Sequence, residues 1–180
     1  MVLKKNVFFI YAFTLIELIV AIVILSIFMM MAIPSLQAMI QNNRALSVTN
    51  DVVMMLNLAR SEAITRGVSV SVCAASDSTL SACGTNWNNG WLLFTNPNED
   101  TTFANNSTEI LLKVEQITNP NLSITTTPSV GIVTYQPSGF PSPTTSNTAF
   151  NVSAVGCTGN NASQITISPM GKIMTIAIAC

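Results

Sequence analysis

The sequence predicts an α+β protein: one long N-terminal helix whose first half crosses a membrane, packed through its second half on a C-terminal antiparallel β-sheet domain. Three observations carry that reading. From Ala12 to Pro34 the chain is an apolar run broken by one carboxylate, Glu17. Between Leu36 and Ala63 apolar residues recur at intervals of three and four, the period of a one-sided helix. After Gly67 the period drops to two, and short alternating segments separated by Asn, Pro and Gly turns follow one another to Cys180.

Phe13 to Ile33 spans roughly 30 Å as a helix at about 1.5 Å per residue, the thickness of a bilayer's hydrocarbon core. Within it only Thr14, Glu17 and Ser26 are polar. A carboxylate at the bilayer centre costs about 2.5 kcal/mol or more, so Glu17 implies a cationic partner. A secretory signal has a shorter apolar region and no internal acid. A plain membrane anchor accounts for the length but not for Glu17. Lys4 and Lys5 precede the run and no comparable cluster follows it, which orients the N-terminus to the cytoplasm and the C-terminal domain outside the inner membrane.

Pro34 removes one helical hydrogen bond, so the helix is expected to continue with a kink. Leu36, Ile40, Val48, Val52, Met55, Ala59 and Ala63 then form the stripe expected to pack on a sheet. Gln41, Asn42, Arg44, Asp51, Asn57, Arg60 and Glu62 occupy the other face, and Gly67 after Arg66 supplies the stop. Met29, Met30 and Met31 suit lipid or subunit packing. The segments are therefore 1–12, ahead of the apolar run; 13–33, the membrane half of the helix; 34–66, its amphipathic half; and 67–180, a β-rich domain.

Strict alternation over Val68–Cys73 predicts a strand with one buried face. Further strands are expected at Trp91–Thr95, Ile110–Val114, Leu122–Thr127, Gly131–Tyr135, Ala149–Ala154, Gln164–Ser168 and Lys172–Ala179. Turns are expected at Asn96–Asn98, Asn119–Asn121 and Pro169–Gly171, and the Pro, Ser and Thr of Gln136–Thr148 read as a surface loop.

Beyond the leader and membrane segment about 145 residues remain, enough for one domain with its own core. Charged residues make up only 8% of the chain, and Ser, Thr and Asn supply the polar surface instead. Without Lys4 and Lys5, five basic residues face eight acidic ones. Such a surface does not attract polyanions. There is no His, hence no Ser-His or Cys-His relay, and no Gly-rich phosphate loop ends in Lys-Ser or Lys-Thr. The chain therefore reads as a non-enzyme without cofactor or metal. Glu99 and Asp100 with Asn96 and Asn98 form a calcium candidate weighed against an ordinary solvated turn, which is preferred.

Four cysteines in an exported domain point to disulfides. Sequence alone permits three pairings. The preferred one joins Cys73 with Cys83, closing a short loop, and Cys157 with Cys180, tying the C-terminal strand to the sheet.

Lys4-Lys5, Ala12 and Phe13-Thr14-Leu15-Ile16-Glu17-Leu18 with the apolar run behind them resemble the class III signal of type IV pilins and pseudopilins. The resemblance implies cleavage by a prepilin peptidase between Ala12 and Phe13, N-methylation of Phe13, and Glu17 as the assembly carboxylate that pairs with a neighbouring subunit's amine. That family has Gly where this chain has Ala12, which is still small enough for a protease subsite. Cys73, Cys83, Gly84, Trp87, Gly90, Trp91 and Phe94, with Ser168-Pro169-Met170-Gly171-Lys172 near the end, are similar to the GspH/FimT/FimU group of minor pilins and pseudopilins. The implied fold is type IV pilin-like. The implied function is a structural subunit that helps prime and assemble a type II secretion pseudopilus or a type IV pilus. Implied partners are other minor and major pilins or pseudopilins, the prepilin peptidase, an inner-membrane assembly platform and inner-membrane lipid. The alternative is a DNA-binding minor pilin for natural transformation. That role rests in the family on Gly-Arg-x-Arg, where this chain has Gly171-Lys172-Ile173-Met174, leaving Lys172 as the one candidate for weak DNA contact and nucleic acid an unfavoured partner.

Overall fold

A computed structural model describes residues 13–104, 106–142 and 147–180. Ala12 and the Lys4-Lys5 pair lie outside the described residues, as do 143–146 of the expected surface loop. The chain divides into two compact units, Met1–Ala38 and Met39–Cys180.

Helix α1, Leu15–Arg66, runs for 52 residues and includes Pro34. Thr14 caps it, its hydroxyl accepting the Glu17 N–H at 3.3 Å, a Thr-x-x-Glu spacing typical of helix starts. At the other end Gly67 takes φ +66°, the left-handed geometry of a helix C-terminus, and its N–H reaches the Ala63 carbonyl at 3.0 Å. Residues 13–38 are exposed throughout, which is the state of an apolar helix whose surroundings are not its own chain. This is one helix long and apolar enough to cross a membrane.

Within the second unit α1 becomes one-sided. Ala45, Thr49, Val52, Met55, Leu56, Ala59 and Ala63 are buried. Four of the expected stripe residues, Val52, Met55, Ala59 and Ala63, belong to this face; Leu36 and Ile40 do not, being 58% and 43% exposed. Arg60, expected on the solvent face, turns its guanidinium to the Met170 and Gly171 carbonyls.

Nine strands follow: β1 Val70–Ala75, β2 Cys83–Gly84, β3 Gly90–Thr95, β4 Leu111–Gln116, β5 Leu122–Thr127, β6 Ile132–Tyr135, β7 Ala149–Ala154, β8 Ala162–Ile167 and β9 Ile173–Ile178. They form two antiparallel sheets. In the first, β1 pairs with β3 along one edge and with β2 and β6 along the other, and β4 closes on β3. The second has the order β5-β7-β8-β9. Helix residues Val52 to Ala63 sit in one core with Val70, Val72, Trp91, Leu93 and Val133 of the first sheet and Ile124, Phe150, Val152, Ile165 and Ile167 of the second.

The first strand departs from expectation. It starts two residues later than Val68, and all six of its residues are buried, not one face alone. Its outer face, Ser71, Cys73 and Ala75, is covered by the connections after β1 and β3: Cys73 and Ala75 join Leu92, Phe94, Leu80 and Phe103 in a second core. The hydroxyls on that face are tolerated because partners are buried with them. Ser71 bonds Thr134 Oγ1 at 2.7 Å and accepts from Asn96 Nδ2 at 2.9 Å.

Two residues make sharp demands. Gly90 has φ +107°, and a Cβ added there would lie 2.1 Å from the Glu115 carbonyl oxygen of β4. Neither strand can yield without breaking the β3–β4 ladder. Gly90→Ala is therefore expected to lower the stability of the domain by about 3 kcal/mol or more in denaturant titration; a loss under about 1 kcal/mol contradicts the close approach. Tyr135 is fully buried, and its hydroxyl has no partner among the described residues. Burial pushes its pKa up to about 12, with the Arg60 charge opposing. Because the unfolded chain releases this proton first, stability is whole below about pH 10 and falls as pH rises toward 12. Tyr135→Phe is expected to flatten that part of the stability–pH curve and to cost little at pH 7, since it removes an unpaired buried group. An unchanged alkaline slope contradicts it.

Candidate functional site

The first candidate site is the start of α1. Phe13 is 75% exposed, and Glu17 lies in the first turn of the helix, where a negative charge is favoured by the free N–H groups. Among the described residues the ion pairs are Arg66 with Glu62 at 2.5 Å and Lys113 with Glu115 at 3.5 Å, so Glu17 has no cation from this described chain. Its neighbours Ile16, Leu18, Ile19 and Val20 are all exposed and apolar. In hydrocarbon a carboxylate on such a surface is costly unless a cation meets it.

The second is the Trp87-x-x-Gly90-Trp91-x-x-Phe94 segment. Trp87 opens a short 3-10 helix, Trp87–Asn89, with the Asn86 side chain accepting the Asn88 N–H. Its indole N–H donates to the Val130 carbonyl at 2.8 Å, and its ring meets Phe150 of β7 edge-on with centroids 4.8 Å apart. Trp87 therefore fastens the connection between the sheets. Trp91 and Phe94, three apart on β3, face opposite ways: Trp91 joins the main core, and Phe94 packs on Phe103 in the second at 4.9 Å. Asn88 and Asn89, which composition marks only as turn formers, complete the clamp. Asn88 Oδ1 accepts the Ile124 N–H of β5 at 2.7 Å, and Asn89 Nδ2 donates to the Ala75 and Ser76 carbonyls at 3.2 and 3.0 Å. The segment is architectural and offers no reacting group.

The cations are dispersed. Arg66 is paired with Glu62, and Lys113 with Glu115. Arg60 donates to the Gly171 carbonyl at 3.0 Å and the Met170 carbonyl at 3.3 Å, anchoring the β8–β9 turn to the helix. Arg44 lines an open groove of about 510 Å³ together with Asp51, Glu115 and Trp91. Lys172 is exposed, and its backbone N–H donates to Ser168 Oγ at 3.1 Å. Arg60 and Lys172 thus meet at one turn, but Arg60 is already committed to carbonyls.

Cys73 and Cys83 are joined, with Cα atoms 5.5 Å apart, and Cys157 is joined to Cys180, with Cα atoms 5.9 Å apart. The first bridge closes the loop whose strand β2 pairs with β1; the second ties the chain after β9 to the turn after β7. In the Asn96–Asp100 turn, Glu99 Oε1 accepts from Ser69 Oγ and Gln136 Nε2, Asp100 Oδ1 from the Thr102 N–H, and Asn96 Oδ1 from the Asp100 N–H. These groups serve the turn itself.

Residues 48–171 match the protein family described as Type II transport protein GspH. Residues 11–33 match the prokaryotic N-terminal methylation motif. No curated protein matches the sequence. Among solved structures, the type IV minor pilin FimU of Pseudomonas aeruginosa PAO1 is similar with a TM-score of 0.60 and 22% identity, over 77% of this chain and 96% of that one. A second crystal form of FimU gives 0.57 and 21%, over 75% and 98%. The minor pseudopilin EpsH of the Vibrio cholerae type 2 secretion system gives 0.49 and 12%, over 74% and 96%. The FimU likeness is one of fold: a long helix on antiparallel sheets.

The division of labour between the two cations at the β8–β9 turn can be measured. Arg60→Met leaves two carbonyls without their charged donor and is expected to cost about 1–3 kcal/mol in chemical denaturation. Lys172→Ala is expected to stay within about 0.5 kcal/mol of the parent. The reverse order contradicts the assignment of Arg60 to architecture.

Proposed function

The chain belongs to the GspH family of type II transport proteins, whose members are structural pilin subunits and not enzymes; on that premise we propose that it is a minor pilin or pseudopilin that helps prime and assemble a periplasmic filament, either a type II secretion pseudopilus or a type IV pilus. One observation carries the reading. The methylation motif heads a helix whose first stretch, 13–38, is apolar and exposed on every side, with a single carboxylate, Glu17, in its first turn and no cation for it among the described residues. A prepilin peptidase cuts between Ala12 and Phe13, the new Phe13 amine is methylated, and the Glu17 carboxylate takes the amine of a neighbouring subunit. The membrane half of α1 holds the subunit in the inner membrane, N-terminus inward and the β domain in the periplasm, until the assembly platform moves it into the filament among other pilins.

A DNA-capturing role is the second reading, favoured only by the exposed Lys172 at the β8–β9 turn. Phosphate binding needs several cations on one face. From Gln116 to Cys180 Lys172 is the only charged side chain, and Arg60 beside the turn is bonded to carbonyls. Arg44 shares its groove with two acids. Filament assembly is therefore preferred.

Mass spectrometry of the membrane fraction is expected to find a mature N-terminus at Phe13 carrying one methyl group. A chain left uncut, or cut near Ala32, contradicts the pilin reading. In gel-shift titration at low and moderate salt, the domain from Asn42 onward is expected to show weak or no binding to duplex DNA. Affinity in the micromolar range or tighter, lost in Lys172→Ala, promotes DNA capture over assembly.

A further inference from the structure

The second sheet ends in an edge strand that lacks the usual protection. On its outer face, β5, β7 and β8 present Ser123, Thr125, Asn151, Ser153, Gln164 and Thr166, as a wetted sheet does. The edge strand β9 inverts this pattern. Met174 and Ile176 point to the same outer face and are 47% and 53% exposed. Edge strands of soluble proteins are normally short, charged or interrupted by Pro. From Ile173 to Cys180 this one has no charge and no Pro.

The register shows which backbone groups are free. The Ser168 N–H donates to the Lys172 carbonyl, so the 168–172 pair is a hydrogen-bonded one. With Thr166 opposite Met174 and Gln164 opposite Ile176, alternation directs the even residues of β9 toward β8. Ile173, Thr175 and Ala177 then turn their N–H and C=O groups outward, and nothing among the described residues takes them. On the inner side β9 also overhangs: Ala177 lines an open hollow of about 250 Å³ with Asn42, Asn43 and Leu46 of α1.

We propose that β9 is a docking edge that takes an extended strand from a different protein, adding a fifth strand to the second sheet with its apolar side over Met174 and Ile176 and an acidic residue against Lys172. Lipid does not fit, because acyl chains cannot satisfy the outward backbone groups at Ile173, Thr175 and Ala177. Charge argues against side-by-side pairing with a second β9. Lys172 has no ion pair among the described residues, and no Asp or Glu occurs after Glu115, so the side chains of another β9 bring Lys172 no acid. An antiparallel partner whose C-terminal end carries Glu or Asp supplies it, as in strand-addition recognition, where backbone bonds give affinity and alternate side chains give selectivity. The inference concerns the domain's edge and does not depend on how the N-terminus is processed or whether a filament forms.

The test uses the full chain in detergent micelles and a fluorescent peptide, acetyl-Thr-Val-Thr-Ile-Thr-Val-Glu-amide, followed by anisotropy. Saturable binding is expected. Thr175→Pro removes an outward N–H while leaving the bonds to β8, and Ile176→Lys charges the outer face without touching the backbone; each is expected to weaken binding by about tenfold or more. Lys172→Glu is expected to weaken the Glu peptide by severalfold and to favour the same peptide ending in Lys. Near-ultraviolet circular dichroism checks that each variant keeps its fold. Absence of binding, equal binding by the parent and both edge variants, or a parent that is dimeric without peptide while Thr175→Pro is monomeric each overturns the proposal; the last makes a second copy the occupant.

Discussion

One buried stripe of α1 underlies the whole globular unit. Neither sheet closes the main core by itself: the inner residues of both, from Val70 and Leu93 to Phe150 and Ile165, meet the same helix residues, Val52 to Ala63. Small side chains at Ala45, Ala59 and Ala63 are what let strands approach the helix, and each is 3% exposed or less. The same helix, toward its start, has no such partner and is apolar all round. A single 52-residue element is thus built for two solvents. The family's division between a membrane segment and a water-soluble domain follows from that change of pattern at constant secondary structure.

Much of this was legible because period is a direct readout of what a segment touches. The end of α1 at Arg66, strands β5 and β7 to the residue, and the opposite directions of Trp91 and Phe94 all follow from spacing and one left-handed glycine. Misreadings arose where a distant segment changed the environment. Val68 to Cys73 alternates like a half-exposed strand, yet Ser71 is buried because Asn96 and Thr134 arrive to bond it. Leu36 and Ile40 continue the helical period but stay exposed, since periodicity marks a face and says nothing about where the partner begins. Asn88 and Asn89 sit in an Asn-rich chain, so their sheet-clamping bonds carried no signal above background. The β9 edge was visible only as another apolar alternation; that its far side is unpaired depends on strand order, which local sequence does not encode.

The chemistry of the surface is as informative as the core. Three of the five described basic residues are spent within the fold: Arg66 and Lys113 on carboxylates, Arg60 on the β8–β9 turn. What is left for partners is apolar surface, backbone edge, Glu17 and the exposed Lys172, the equipment of a subunit that packs with protein. At the N-terminus the decisive group is Glu17, unpaired by the described chain and placed where helix-to-helix burial would make an unpaired charge costly.

The account stands or falls on that carboxylate. Glu17→Ala, expressed beside the native system and followed by comparing membrane and sheared-filament fractions, measures it most directly. The account predicts a variant that inserts as well as the parent or better, remains in the membrane fraction and is depleted from filaments. Incorporation equal to the parent contradicts the pairing of Glu17 with a neighbouring subunit and, with it, the assembly role.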